Sequence, residues 1–109
     1  MDTEIKKALS MLSIAAKAGK VVSGGFMSEK SIQEGNACLV LIASDASRNT
    51  KKKFTDKCTY YDVPYIIVSD SDTLGKAIGR QNRTTVTIID SGLAKQVERG
   101  LNSQKELEV

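Results

Sequence analysis

Residues 20–43 read KVVSGGFMSEKSIQEGNACLVLIA, and this stretch decides how the rest of the chain is understood. Val21 and Val22 make a brief strand. Gly24 and Gly25 follow where the strand gives way to a helix, which Ser23 is placed to cap and Gly35 to end. The run Cys38-Leu39-Val40-Leu41-Ile42-Ala43 is apolar without alternation, which suits a central strand covered on both faces. Paired glycines let the backbone bend tightly and let a ligand come close to the main chain. The helix after them opens with unpaired N–H groups, which favour an anion. Lys30 stands about one and a half turns inside it, at roughly 3.6 residues per turn. Two readings stay open: a phosphate-tolerant platform with a lysine across it, or a structural turn without a ligand.

Upstream, Asp2 or Thr3 can cap a first helix, with Glu4 favourable in its first turn. Ile5, Ala8, Leu9, Leu12 and Ala16 make one apolar face, and Gly19 is the stop. Downstream, Ser44 to Ser47 form a turn with cap residues. A helix from Arg48 to about Tyr61 follows, with Phe54, Cys58 and Tyr61 as its buried stripe. Lys51, Lys52, Lys53 and Lys57 crowd its other faces, either as a solvated surface or as a long-range attractor for phosphate. Pro64 breaks the helix. Tyr65 to Val68 is a third strand, and Ser69 to Asp72 supply another cap. A short helix carries Leu74, Ala77 and Ile78 inward and stops at Gly79. A polar, basic loop from Arg80 leads into a β-branched strand, Thr85 to Ile89. Asp90-Ser91-Gly92 start a last helix bearing Leu93, Ala94, Val97 and Leu101. This pattern gives one domain over residues 1–101 and a frayed tail over 102–109. Helices alternating with short apolar strands point to a three-layer α/β/α sandwich.

The length of 109 residues fits one core. No apolar run approaches the ~20 residues needed to span a bilayer. The N-terminus lacks the apolar segment of a signal peptide, so a cytoplasmic protein without membrane contact is expected. The net charge is +3, which permits a polyanion partner if the charge is clustered. There is no His, which excludes a Ser-His-Asp triad and leaves a zinc site almost without ligands. Cys38 and Cys58 sit in apolar contexts that suit buried thiols. GxxxxGK[ST] and GxGxxG are both absent. An enzyme, a cofactor and a metal site are therefore not expected.

Three polar loops adjoin strands: Ser23–Met27, Ser44–Arg48 and Arg80–Thr85. Ligands of open α/β sheets gather at strand ends. If these loops converge, they offer glycine backbone with Lys30, Arg48, Arg80 and Arg83, but no general base or nucleophile. Asp45 is the only acid in them and reads first as a helix cap. Phe26 either stacks on a splayed base or packs into the core at the helix start.

The chain resembles the kink-turn-binding ribosomal-protein superfamily of the large subunit, the seven-Ae and thirty-e group, and most closely its bacterial YlxQ-type members. The matching residues are SGGFMSEKSIQEG at 23–35, ACLVLIASDAS at 37–47, NTKKKFTDKC at 49–58, VPYIIV at 63–68, LGKAIGR at 74–80 and TVTIID at 85–90. The resemblance covers about residues 5–100. It implies a small mixed four-stranded sheet and binding to RNA kink-turns or related internal loops. It places Gly24, Gly25, Phe26, Met27 and Lys30 in the RNA groove and Gly79, Arg80, Arg83, Thr84 and Thr85 against a flipped-out nucleotide. Ser44 and Asp45 lie beside the same surface, with Arg48 as a further phosphate contact. Its partners are structured RNA, ribosomal or otherwise kink-turn-like, with ribosomal proteins as secondary partners, and the chain is expected to be a monomer.

The strongest kink-turn readers carry Asn and Glu where this chain has Phe26 and Met27. An Asn amide donates and accepts at a base edge; a phenyl ring or thioether cannot. The shared feature is the scaffold with Gly24 and Lys30, so a different RNA target stays open. The alternative is a protein-interaction module on the same scaffold, acting in ribosome assembly or translation, with Phe26 and Met27 as an exposed anchor.

Overall fold

The computed structural model describes the backbone of residues 3–107 and the side chains of residues 5–101. The elements in chain order are α1 (Thr3–Lys17), β1 (Val21–Ser23), α2 (Gly25–Gln33), β2 (Leu39–Ala43), α3 (Arg48–Tyr61), β3 (Tyr65–Val68), α4 (Ser71–Ala77), β4 (Thr85–Ile88) and α5 (Ser91–Leu107). The sheet order is β1-β4-β2-β3. β2 and β3 are parallel, and β4 runs antiparallel to both β1 and β2. α1, α4 and α5 pack together in one layer, and α2 and α3 in the other. The fold is thus the α/β/α sandwich with a mixed four-stranded sheet.

β2 is buried at every residue, as its unbroken apolar run requires when helices cover both faces. β4 is equally buried, although it alternates Thr85, Val86, Thr87 and Ile88. The core gathers Leu12, Ile32, Phe54, Leu74 and Val97 around these two strands.

Local chemistry explains most boundaries. Ser47 caps α3, its hydroxyl accepting from the Thr50 amide at 3.1 Å. Asp70 caps α4 through the Thr73 amide at 2.7 Å, and Asp90 receives the Leu93 amide at 2.9 Å. α3 ends in a left-handed residue at Asp62, two positions before Pro64.

Four expectations are corrected or displaced. Ser23 does not cap α2: it is the last residue of β1, and Gly24 takes the N-cap position without a side-chain bond. Tyr61 is exposed rather than part of the α3 stripe: it is the last residue of the helix, and its ring meets that of Tyr60 edge-on. Phe26 is 77% exposed and does not pack into the core. The α5 backbone remains helical to Leu107, past the point where the sequence reading begins a tail; residues 108 and 109, and Asp2 as a first cap, fall outside the described residues.

Gly75 is the tightest point of the scaffold. A Cβ there would lie 2.0 Å from the carbonyl oxygen of Gln81, backbone against backbone. The Gly75 carbonyl also accepts from the Arg80 amide at 2.8 Å, so the α4–β4 loop folds directly onto this glycine. Gly75→Ala should therefore cost about 1–3 kcal/mol by overpacking. Gly25→Ala, where a Cβ meets nothing within 4 Å and φ is not positive, should be neutral or stabilise by up to about 1 kcal/mol. Chemical denaturation of both variants checks this contrast, and equal midpoints would refute it.

Candidate functional site

β4 is inserted antiparallel between β1 and β2. The C-terminal ends of β1, β2 and β3 therefore share one end of the sheet with the start of β4. The three polar loops of the sequence reading meet there. The Gly24 amide donates to the Thr85 carbonyl at 3.0 Å, and the Ala43 amide to the Thr84 carbonyl at 2.8 Å. Arg83 Nε donates to Ser23 Oγ at 3.2 Å, tying the loop before β4 to the end of β1.

The glycine turn is shaped by its backbone. Gly24 has φ +88°, a conformation L side chains rarely adopt, while open space surrounds its α-carbon. Its carbonyl accepts the first helical bond, from Ser28 at 3.1 Å. The amides of Gly25, Phe26 and Met27 therefore point out of the helix start without a capping side chain. Ser28, Ser31 and Ile32 face inward, so helical spacing turns Phe26 and Lys30 outward and leaves Met27 on the flank, 42% exposed. Lys30 is exposed and has no acidic ion-pair partner among the described residues.

The remaining predicted residues sort by their surroundings. Arg48 is exposed at the start of α3, and Gly79, Arg80 and Thr84 are exposed before β4. Arg83 is half-buried, its amide donating to Ser71 and its guanidinium to Asn82 and Ser23. Ser44 is exposed and its amide donates to the carbonyls of Val68 and Ser69. Asp45 does not cap the adjacent α3, whose N-cap is Ser47; its carboxylate accepts from the amide and hydroxyl of Ser71, the first residue of α4, at 2.9 and 3.2 Å. Thr85 is fully buried, so its side chain is not on the surface and it serves the loop through its carbonyl.

Sequence reading missed a fourth loop, the β3–α4 turn. Ser71 holds both Asp45 and the Arg83 amide, and its signal in the sequence was only a cap motif. It also missed Glu29. This carboxylate pairs with Lys57 at 2.9 Å and Lys53 at 3.3 Å, bolting α2 to α3 directly beside Lys30. Lys52 pairs with Asp56 on its own helix. The lysine run of α3 is thus largely compensated, whereas Lys30, Arg48 and Arg80 have no acidic ion-pair partner among the described residues. Among the described residues, no group of three or more His, Cys, Asp or Glu is placed to hold a metal ion. Cys58 is buried, which pushes its thiol up to about 11, away from thiolate chemistry.

The chain matches the model of the ribosomal protein L7Ae/L30e/S12e/Gadd45 family over residues 6–98. It is 46% identical over 87 residues to the RNA-binding protein YlxQ of Bacillus subtilis, covering 80% of this chain and 87% of that one. It is 32% identical over 104 residues to the large ribosomal subunit protein eL8 of Picrophilus torridus, covering 94% and 82% of the two chains. The solved structure of a Bacillus halodurans protein of unknown function has a TM-score of 0.86 at 35% identity, covering 88% of this chain and 97% of that one.

Hydrogen bonds from Lys57 and Lys53 hold the Glu29 carboxyl below the ordinary glutamate range. A carboxylate held low in the folded state stabilises the fold above its unfolded pKa. That contribution is lost as pH falls through the lower, folded value. Glu29→Gln should therefore destabilise at neutral pH, and the gap to wild type should close in acid. Asp70, also held low by Thr73, is common to both proteins and cancels. Thermal unfolding of both across the acid range tests the clamp; a gap that does not change with pH would discount it.

Proposed function

We propose that this chain, which belongs to the ribosomal protein L7Ae/L30e/S12e/Gadd45 family, is a non-catalytic, ribosome-associated RNA-binding protein of the cytoplasm. The observation that carries this reading is the convergence of four loops at one sheet end. That end combines the open amides of α2 with Arg48, Arg80 and Arg83, and the unpaired Lys30 follows on the exposed face of α2. The relatives named as an RNA-binding protein and a ribosomal protein support the same assignment.

The ligand is a structured RNA of kink-turn or related shape. Gly24 and Gly25 let its backbone approach, and the α2 amides and Lys30 meet phosphate. Arg48, Arg80 and Arg83 extend the positive track, and Ser44, Gly79 and Thr84 line it. Asp45 acts through Ser71 by fixing the loops relative to one another. Phe26, exposed at the helix start, supplies a flat apolar face for an unstacked base. Recognition by stacking replaces the edge readout that Asn and Glu provide at these positions in the strongest kink-turn readers. No helix among the described residues is long and apolar enough to cross a membrane.

The protein-interaction reading rests on the same exposed pair, Phe26 and Met27. Two substitutions separate the readings. Lys30→Ala should weaken binding to a kink-turn RNA by about tenfold, in line with roughly 1–2 kcal/mol for a charge-assisted contact. Phe26→Ala should lower affinity by about 1–3 kcal/mol if the ring stacks on a base. Affinity measured across a salt series should fall steeply, since released counterions drive phosphate binding. A flat salt response together with an unaffected Lys30→Ala would exclude the RNA surface.

A further inference from the structure

β1 is an edge strand, with β4 as its only sheet neighbour. The register pairs Val21 with Ile88, Val22 with Thr87 and Ser23 with Val86. Backbone bonds run from Gly24 to Thr85 and from Ile89 to Lys20. In an antiparallel ladder the bonded pairs alternate, so Lys20, Val22 and Gly24 turn their polar groups toward β4. The N–H and C=O of Val21 and Ser23 point the other way, along the open side of the sheet.

Two grooves flank this edge and share Val22 and Met27. One, of about 270 Å³, lies on the α1 and α4 side and is lined by Ala16, Ile78 and Arg80. The other, of about 130 Å³, lies on the α2 side and is lined by Lys30, Glu34 and Asn36. The grooves therefore offer aliphatic surface with Arg80 on one face of the same backbone edge and with Lys30, beside Glu34, on the other. The other sheet edge, β3, has exposed Tyr65 and Ile67, and the groove beside Tyr65 is lined by Asp62 and by no cationic side chain.

We propose that the outer edge of β1 is a docking site for an extended acidic segment of a partner protein, added as a further strand. Backbone pairing with Val21 and Ser23 supplies affinity, and alternate side chains enter the two grooves. A strand alternates its side chains between faces, so acidic and aliphatic residues reach Arg80 on one side and Lys30 on the other. Complementary charge distinguishes this edge from β3 and selects an acidic strand over a basic one.

The test uses the whole chain labelled with nitrogen-15 and no RNA. A short synthetic peptide alternating Glu and Val is titrated in, beside a matched peptide alternating Lys and Val. With the acidic peptide, the amides of Val21 and Ser23 should shift and become protected from exchange, while Val22 stays as it was. Val21→Pro removes an outward donor that the sheet does not use. It should weaken the peptide by about tenfold. Should that variant fail to fold, Lys30→Glu combined with Arg80→Glu, both exposed, provides the second reading, with a loss of at least the same size. Equal binding of the basic peptide, or shifts at Tyr65 and Ile67 with Val21 and Ser23 silent, would overturn strand addition. So would a single-stranded RNA that shifts Val21 and Ser23 where the acidic peptide does not. Because the titration contains no RNA, its failure leaves the RNA reading intact, and loss of RNA binding leaves strand addition standing.

Discussion

The antiparallel seat of β4 between β1 and β2 is the constraint on which the site depends. Were β4 parallel to its neighbours, the α4–β4 loop would open at the opposite end of the sheet, away from the glycine turn. As folded, it delivers Arg80, Arg83 and Thr84 to the place where β1, β2 and β3 end. Short backbone bonds lock the arrangement, from Gly24 to Thr85, from Ala43 to Thr84 and from Arg83 to Ser71. Ser71 then binds Asp45 and joins the β2–α3 loop to the same assembly. Positioning here is mostly a matter of main chain, which is why so few charged side chains are needed to define the surface.

Charge distribution follows from which lysines find acids. A net charge of +3 is modest. On α3, however, Lys53 and Lys57 share Glu29, and Lys52 is answered by Asp56. The exposed Lys52–Asp56 pair adds little stability, yet together the pairs cancel the local field on this face. Among the described residues Lys30, Arg48 and Arg80 stay uncompensated, so the glycine turn and the loops beside it keep a local positive surface, although Lys6, Lys7 and Lys20 are unpaired elsewhere.

Much of the scaffold was legible beforehand because it rests on local chemistry. The unbroken apolar run at Leu39–Ala43 announced a central strand, and Ser47, Asp70 and Asp90 announced helix starts. The limits of α3 and β3 followed from Arg48, Pro64 and Tyr65. The mixed four-stranded sheet was legible only through the family resemblance, and the strand order was not legible at all, since no residue in β4 declares which neighbours it will take. Side-chain fate was harder still. Thr85 was read both as the end of a surface loop and as the start of a strand, and its side chain is buried because both faces of that strand are covered. Tyr61 matched the helical spacing of Phe54 and Cys58 but is the last residue of α3 and is exposed. Glu29 pairs with lysines more than twenty positions away, and such pairing appears only once α2 and α3 are side by side.

Exposure of Phe26 and Met27 follows from the same geometry. Ser28, Ser31 and Ile32 occupy the inward face of α2, so a residue two positions before Ser28 must point to solvent. An isolated exposed apolar side chain needs no explanation. Here two adjoin open amides and an unpaired lysine. Met27, Lys30 and Arg80 also border the free edge of β1. RNA at the loop end and an acidic strand at the edge would therefore draw on the same two cations. Each ligand would weaken the other, and by the same factor in both directions, because coupling between two sites is reciprocal. An acidic strand at β1 would then act as a release device for RNA, without any change in the fold.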